Sequence, residues 1–175
     1  MFLPTVLALT LCCWTQEPKV GPATVAPATA EVPAESISLV RSELGQALRD
    51  LSGVFGLKDI RPFVVIVHEG GAELPAELTS LHHEGSPGFT ILSRHEIHLM
   101  LREVARHNRG LRTVVMHELS HELLDQACGE HGGRIPRWFH EGMAQVLAGD
   151  TYLGVSEEMI VWRAATGKLT PFYEL

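Results

Sequence analysis

An α+β domain is the fold class this sequence predicts, on three observations. Amphipathic helical spacing, with apolar residues three and four apart, appears near residues 37–51, 111–127 and 136–148. Between the first two of these lie short runs of strand character, Phe63–Val67, Phe89–Leu92 and Glu96–Leu101. The chain has 175 residues, 45% hydrophobic and 20% charged, which suits one domain with a real core. Its 14 Lys and Arg stand against 21 Asp and Glu, for a formal charge of −7. That argues against general nucleic-acid binding, which requires a basic face, and against electrostatic attachment to anionic lipid.

The chain opens on Phe2–Trp14, an apolar run shorter than the about 20 residues a membrane span needs. Residues 1–14 read as the hydrophobic part of a secretory signal, so the protein is expected to be exported: periplasmic, cell-surface or secreted. Leu9-Thr10-Leu11-Cys12 resembles a lipoprotein signal, but Leu11 is bulky for the position before a lipidated Cys. Residues 15–36 are rich in Ala, Pro and Thr without helical or strand period, and are expected to form an extended, disordered linker. The folded domain is then expected over 37–175. Cys12 and Cys13 fall in the signal-like stretch, which leaves Cys128 without a partner for an internal disulfide.

Within the domain, Ile37, Val40, Leu44, Ala47, Leu48 and Leu51 make one helical stripe, with Ser36 as expected N-cap. Arg61-Pro62 leads into the β-branched run Phe63–Val67, which Gly70-Gly71 closes as a buried strand. The Ser86-Pro87-Gly88 turn introduces Phe89–Leu92, and in Glu96–Leu101 the residues Ile97, Leu99 and Leu101 share one face. The next helix runs from Leu111 to Ala127 and stops at Gly129, with Leu111, Val115, Leu119 and Leu123 as its apolar stripe. A further helix starts near Pro136 and runs to Ala148, its apolar face formed by Phe139, Met143, Val146 and Leu147. A last one is expected over Ser156–Ala165.

His117-Glu118-Leu119-Ser120-His121 lies inside the Leu111–Ala127 helix. Two imidazoles one turn apart, about 6 Å at Cβ, can converge on one zinc ion at about 2.0–2.1 Å. Glu118 stands beside such an ion, placed to act as general base toward an attacking water rather than as a ligand. The alternative is a pair of solvated histidines on an exposed helix face. A third ligand must come from elsewhere, since Leu124 and Ala127 occupy the positions where the metzincin pattern has Gly and His. Glu141 is the leading candidate, nineteen residues lying between it and His121. It shares its helix side with Ala144 and Ala148, small residues that admit a neighbouring helix. His140 and His131 are the alternatives, and a surface pair with Arg137, four residues earlier, is the ordinary explanation of Glu141.

A His-Glu-x-x-His helix followed by Trp138-Phe139-His140-Glu141-Gly142-Met143-Ala144 resembles the gluzincin metallopeptidases, in particular the peptidase MA-like families and minimal gluzincins, over roughly residues 60–150. The resemblance implies one Zn2+ per chain on His117, His121 and Glu141, with Glu118 as catalytic base and a peptide or protein as substrate. It also implies a small mixed sheet packed on the active-site helix, whose edge strand holds the substrate extended; Glu96–Leu101 precedes that helix where such a strand would lie. Two positions depart from the larger members of the family. Four residues after Glu141, where they place an Asp that orients a ligand histidine, stands Gln145, which leaves Asp125 either as substitute or as an ordinary solvated residue. For the oxyanion-stabilising residue only Tyr152 and Tyr173 follow Glu141, neither at the usual distance.

Other residues carry less. Cys128 lies two turns beyond His121, about 10 Å along the axis, too far to share an ion. His82-His83 and the pair His95 and His98 lack metal-binding register and read as loop and strand-edge histidines. Trp138 and Phe139 read as core anchors, and Gly132-Gly133 has neither the spacing nor the preceding strand of a phosphate loop. The function expected is zinc-dependent hydrolysis of peptide bonds. Its rivals are an inactive zinc-containing binding or structural protein of peptidase-like fold, and a metal hydrolase acting on another bond.

Overall fold

The computed structural model describes residues 19–106, 110–149 and 165–166. The signal-like segment, Tyr152, Tyr173 and all but the end of the expected Ser156–Ala165 helix lie outside the described residues. Helix α1 (Ala34–Val54) buries Ile37, Val40, Leu44, Ala47, Leu48 and Leu51, the stripe its periodicity predicts. It begins earlier than that stripe suggests: Pro33 is the N-cap and Ser36 lies within the first turn.

The fold is α+β, with one five-stranded mixed sheet. Its strands are β1 (Lys19–Val20), β2 (Ala23–Pro27), β3 (Phe63–His68), β4 (Gly88–Ile91) and β5 (Glu96–Met100), in the spatial order β1-β2-β3-β5-β4. β2, β3 and β5 run parallel; β1 and β4 are antiparallel to their neighbours. Register aligns Val25 with Val65 and Val65 with Ile97, so successive strands present one apolar row. These residues, with Val67 and Leu99, form one core with α1 and with Val114, Val115, Leu119 and Leu123 of helix α4 (Leu111–Cys128).

Residues 19–33 are therefore no linker. β1 turns at Gly21 (φ 57) onto β2, which pairs with β3 from Ala23↔Phe63 to Pro27↔Val67, and Ala23 and Val25 are both 0% exposed. The prolines sit where a strand tolerates them, Pro22 in the turn and Pro27 at the strand's last position. Short side chains alternating inward conceal the strand in an Ala-, Thr- and Pro-rich composition. β5 is also corrected. It lies inside the sheet, so the edge beside α4 belongs to β4, and Leu101 opens helix α3 (Leu101–Arg106) instead of extending the strand.

Helix α4 is tied on several sides. Arg112 ion-pairs with Glu43 (3.4 Å) and Asp50 of α1. Glu122, 0% exposed, accepts from Gln126 Nε2 at 2.6 Å and faces His95 Nδ1 at 2.9 Å. Gln126 in turn accepts from the Arg61 amide (2.7 Å) and donates to the Arg61 carbonyl (3.2 Å), so the helix is fixed to the start of β3. Gly129, at φ 53, ends it. Helix α5 (Arg137–Ala148) packs on α4 through His140 and Ala144, the latter 0% exposed. Its expected apolar face is buried only in part: Leu147 packs half-buried against the core and Met143 is half-buried, whereas Val146 is 79% exposed, and Trp138 and Phe139 stand out at 49% and 38% rather than serving as core anchors. A short helix α2 (Ala76–Thr79) lies in the β3–β4 connection. No helix among the described residues is long and apolar enough to cross a membrane.

Candidate metal centre and its neighbouring carboxylate

His117 and His121 stand one turn apart on α4, their rings 5.0 Å between centroids and nearly perpendicular at 78°. The close α4–α5 contact at Ala144 brings Glu141, one turn earlier on α5, against them. Its Oε2 lies 3.6 Å from His117 Nε2 and 3.9 Å from His121 Nε2. The three donor atoms all lie within 4.8 Å of one another. Tetrahedral bonds of about 2.0–2.1 Å set neighbouring donors about 3.4 Å apart, so small side-chain shifts fit this set to a zinc ion. Two of the three donors are in the form a cation needs, a neutral imidazole at His121 and an ionised carboxylate at Glu141. Burial, reinforced by His117, pushes His121 down to about 4. The adjacent His117 imidazole, aided by the charges of His121 and Arg137 and opposed by burial, holds Glu141 down to about 2.

The two explanations of Glu141 occupy different oxygens. Oε1 faces Arg137 Nε at 3.6 Å, one turn away on the same helix, while Oε2 faces the imidazoles. The Arg137 side chain is 78% exposed, and such helix-surface pairs contribute only about 0.3–0.5 kcal/mol. His140 is buried beneath this group with its ring 5.7 Å from that of His121, and His131 is exposed; neither joins the three donors. Asp125 is engaged with Arg61 (3.8 Å) and packs on Gly132, where a Cβ would meet its Oδ1 at 2.2 Å.

Glu118 is 6% exposed beside the donors. Burial pushes its carboxyl up to about 7, with Glu141 adding to the rise and His117 and a Thr90 hydrogen bond opposing it. That bond runs from Thr90 Oγ1 to Glu118 Oε2 at 2.8 Å. Gly88 approaches so closely that a Cβ there would meet Glu118 Cγ and Oε1 at 2.9 Å. Sequence reasoning missed both residues. The strand run around Phe89 was legible, but nothing local says which helix the alternate positions 88 and 90 face.

The histidines expected at loops and strand edges divide. His98 is 1% exposed in the interior strand β5, where its Nδ1 meets Nε2 of the equally buried His68 at 3.0 Å. Phe89 stacks on His98 with centroids 4.6 Å apart and planes 2° from parallel. His82 hydrogen-bonds the Ser86 carbonyl at 3.0 Å. Cys128 is half-buried and is the free cysteine of the described residues. Compared with protein-family models, with curated proteins and with solved structures, the chain shows no match.

Proposed function

We propose that this chain is an exported zinc-dependent peptidase of the gluzincin kind, cleaving peptide bonds with Glu118 as general base. The observation that carries the reading is the convergence of His117, His121 and Glu141 from two helices onto one point, with a buried carboxylate next to it. His117 and His121 would hold the ion through Nε2 and Glu141 through Oε2. Zinc, when bound there, supplies a Lewis acid for the substrate carbonyl and renders water nucleophilic near neutral pH. The chain's residues handle the protons. Glu118, ionised, takes one proton as the water oxygen bonds to the carbonyl carbon, then returns it to the leaving nitrogen as the C–N bond breaks. Among the described residues β4, the strand whose Thr90 and Gly88 touch Glu118, has no strand on its outer side, an edge that an extended peptide can join.

The experiment joins elemental analysis to cleavage of a peptide library by the exported form of the chain. One zinc per chain with cleavage that Glu118→Gln abolishes supports the reading. Zinc without any cleavage assigns a binding or structural role instead, and no zinc in carefully prepared protein removes the proposal.

A further inference from the structure

Strand β4 touches Glu118 twice, and the contacts fall on different oxygens. The Thr90 hydroxyl lies 2.8 Å from Oε2, and its Oγ1 is also 3.1 Å from the main-chain carbonyl of Glu118, so it bridges the side chain and backbone of one residue. Gly88 is the next residue on the same face of the strand. Its missing side chain leaves the space into which Oε1 projects, because a Cβ there would stand 2.9 Å from that oxygen and 3.1 Å from Cδ. One oxygen is held by a donor, and the other occupies a clearance that only glycine provides.

The strand that carries both contacts is itself seated from behind. Between Gly88 and Thr90, Phe89 points to the opposite face and stacks on His98, which is hydrogen-bonded to His68 at 3.0 Å. Among the described residues β4 has a partner strand only on its β5 side, so this stack supplements the ladder bonds in fixing the strand's distance from α4. A buried carboxylate free to rotate would lose its aim, and misplacing a reacting group by about 1 Å costs up to about 10²-fold in rate.

We propose that Thr90 and Gly88 are positioning residues for the base: Thr90 anchors Oε2 of Glu118 so that Oε1 takes the proton from water, and Gly88 provides the clearance for that oxygen. This rests on the reading of Glu118 as general base. Neither residue needs to touch the substrate's reacting atoms for the effect.

Thr90→Val and Thr90→Ser separate positioning from packing. Val keeps the branched shape and strand preference but has no donor; Ser keeps the donor and loses the methyl group. Positioning predicts that Thr90→Val lowers kcat about 10-fold, with KM within about twofold and one zinc per chain retained, while Thr90→Ser stays within about threefold of wild type. A packing role predicts the reverse order, Ser worse than Val. Gly88→Ala should lower kcat at least as far as Thr90→Val, again with zinc retained. Wild-type kcat in Thr90→Val, or Ser no better than Val, overturns the proposal. If wild-type protein binds zinc but cleaves nothing in the library, it is the peptidase reading that fails. Crystal structures of the Thr90 variants then decide the positioning claim. A Glu118 carboxylate rotated in Val and restored in Ser supports it, and one unmoved in both overturns it.

Discussion

Glu141 on α5 places Oε2 3.6 Å from Nε2 of His117 on α4. The contact joins two helices at the point where Ala144, 0% exposed, lets their backbones approach. Because the other carboxylate oxygen faces Arg137 at 3.6 Å, the two explanations of Glu141 can be separated by substitution. Glu141→Gln removes an anionic oxygen from the donor set and should weaken zinc binding at least about tenfold. Arg137→Ala should leave zinc affinity within about twofold and cost no more than a few tenths of a kcal/mol in stability. Competition titration against a chelator reads both. Unchanged affinity in Glu141→Gln would reduce the carboxylate to a surface pair.

Glu118→Gln tests the proposed base apart from the proposed ligands. It keeps the size of the side chain and can still hydrogen-bond Thr90, but it cannot accept a proton. Zinc stoichiometry should stay at one per chain while turnover falls by about 10²-fold or more, the scale of a lost general base. Loss of zinc in parallel with activity would place Glu118 among the ligands.

What the sequence discloses here depends on how local the signal is. The α1 stripe from Ile37 to Leu51 is legible because one helix buries one face, and 3.6-residue spacing reports it directly. The His117–His121 pair and Glu141 are legible because their residue types and spacing are unusual on a helix. β2 is concealed because its partner β3 lies beyond a whole helix in sequence, and Ala23 and Thr24 look the same in a strand as in a linker. The exposure of Trp138 and Phe139 is hidden for a different reason: hydrophobicity says that a side chain favours burial, not which side of α5 meets α4. The same lack of long-range information conceals the β4–β5 order, the burial of His98, and the approach of Thr90 and Gly88 to Glu118.

The place of β2 in the sheet predicts that the domain does not begin at residue 37. A chain starting there lacks Ala23, Val25 and Val32, all buried in the core cluster, and exposes the edge of β3 to solvent or to another chain. It should aggregate or unfold at markedly lower temperature than a chain starting at residue 19. The substitution Val25→Asp should act similarly, at a cost of several kcal/mol for a buried charge without a partner. Thermal unfolding and size-exclusion chromatography check both; a fully stable 37–175 fragment would mean that β2 contributes nothing.

The buried imidazole pair predicts a dependence of stability on acid that is separate from the candidate metal site. Burial, with the charges of His98 and His82 adding, pushes His68 down to about 4. His98 is also lowered, by burial first, with Arg94 acting in the same sense and Glu96 against it. In the unfolded chain both revert to about 6.5. Between pH 6.5 and about 4 the unfolded chain therefore binds more protons than the folded one, and stability rises with pH across that window. The folded state is fully favoured above about pH 6.5, loses stability as the pH falls, and levels off below about 4. For His68 the loss is of the order of 1–3 kcal/mol. His68→Gln retains a group that can hydrogen-bond His98 but does not titrate. Its stability should approach or exceed that of wild type at pH 4.5, whatever it loses at pH 7.5. Urea unfolding of both proteins at each pH makes the comparison, and taking the difference cancels the parallel contribution of His121. A pH-independent difference between them would show that His68 is not the group responsible.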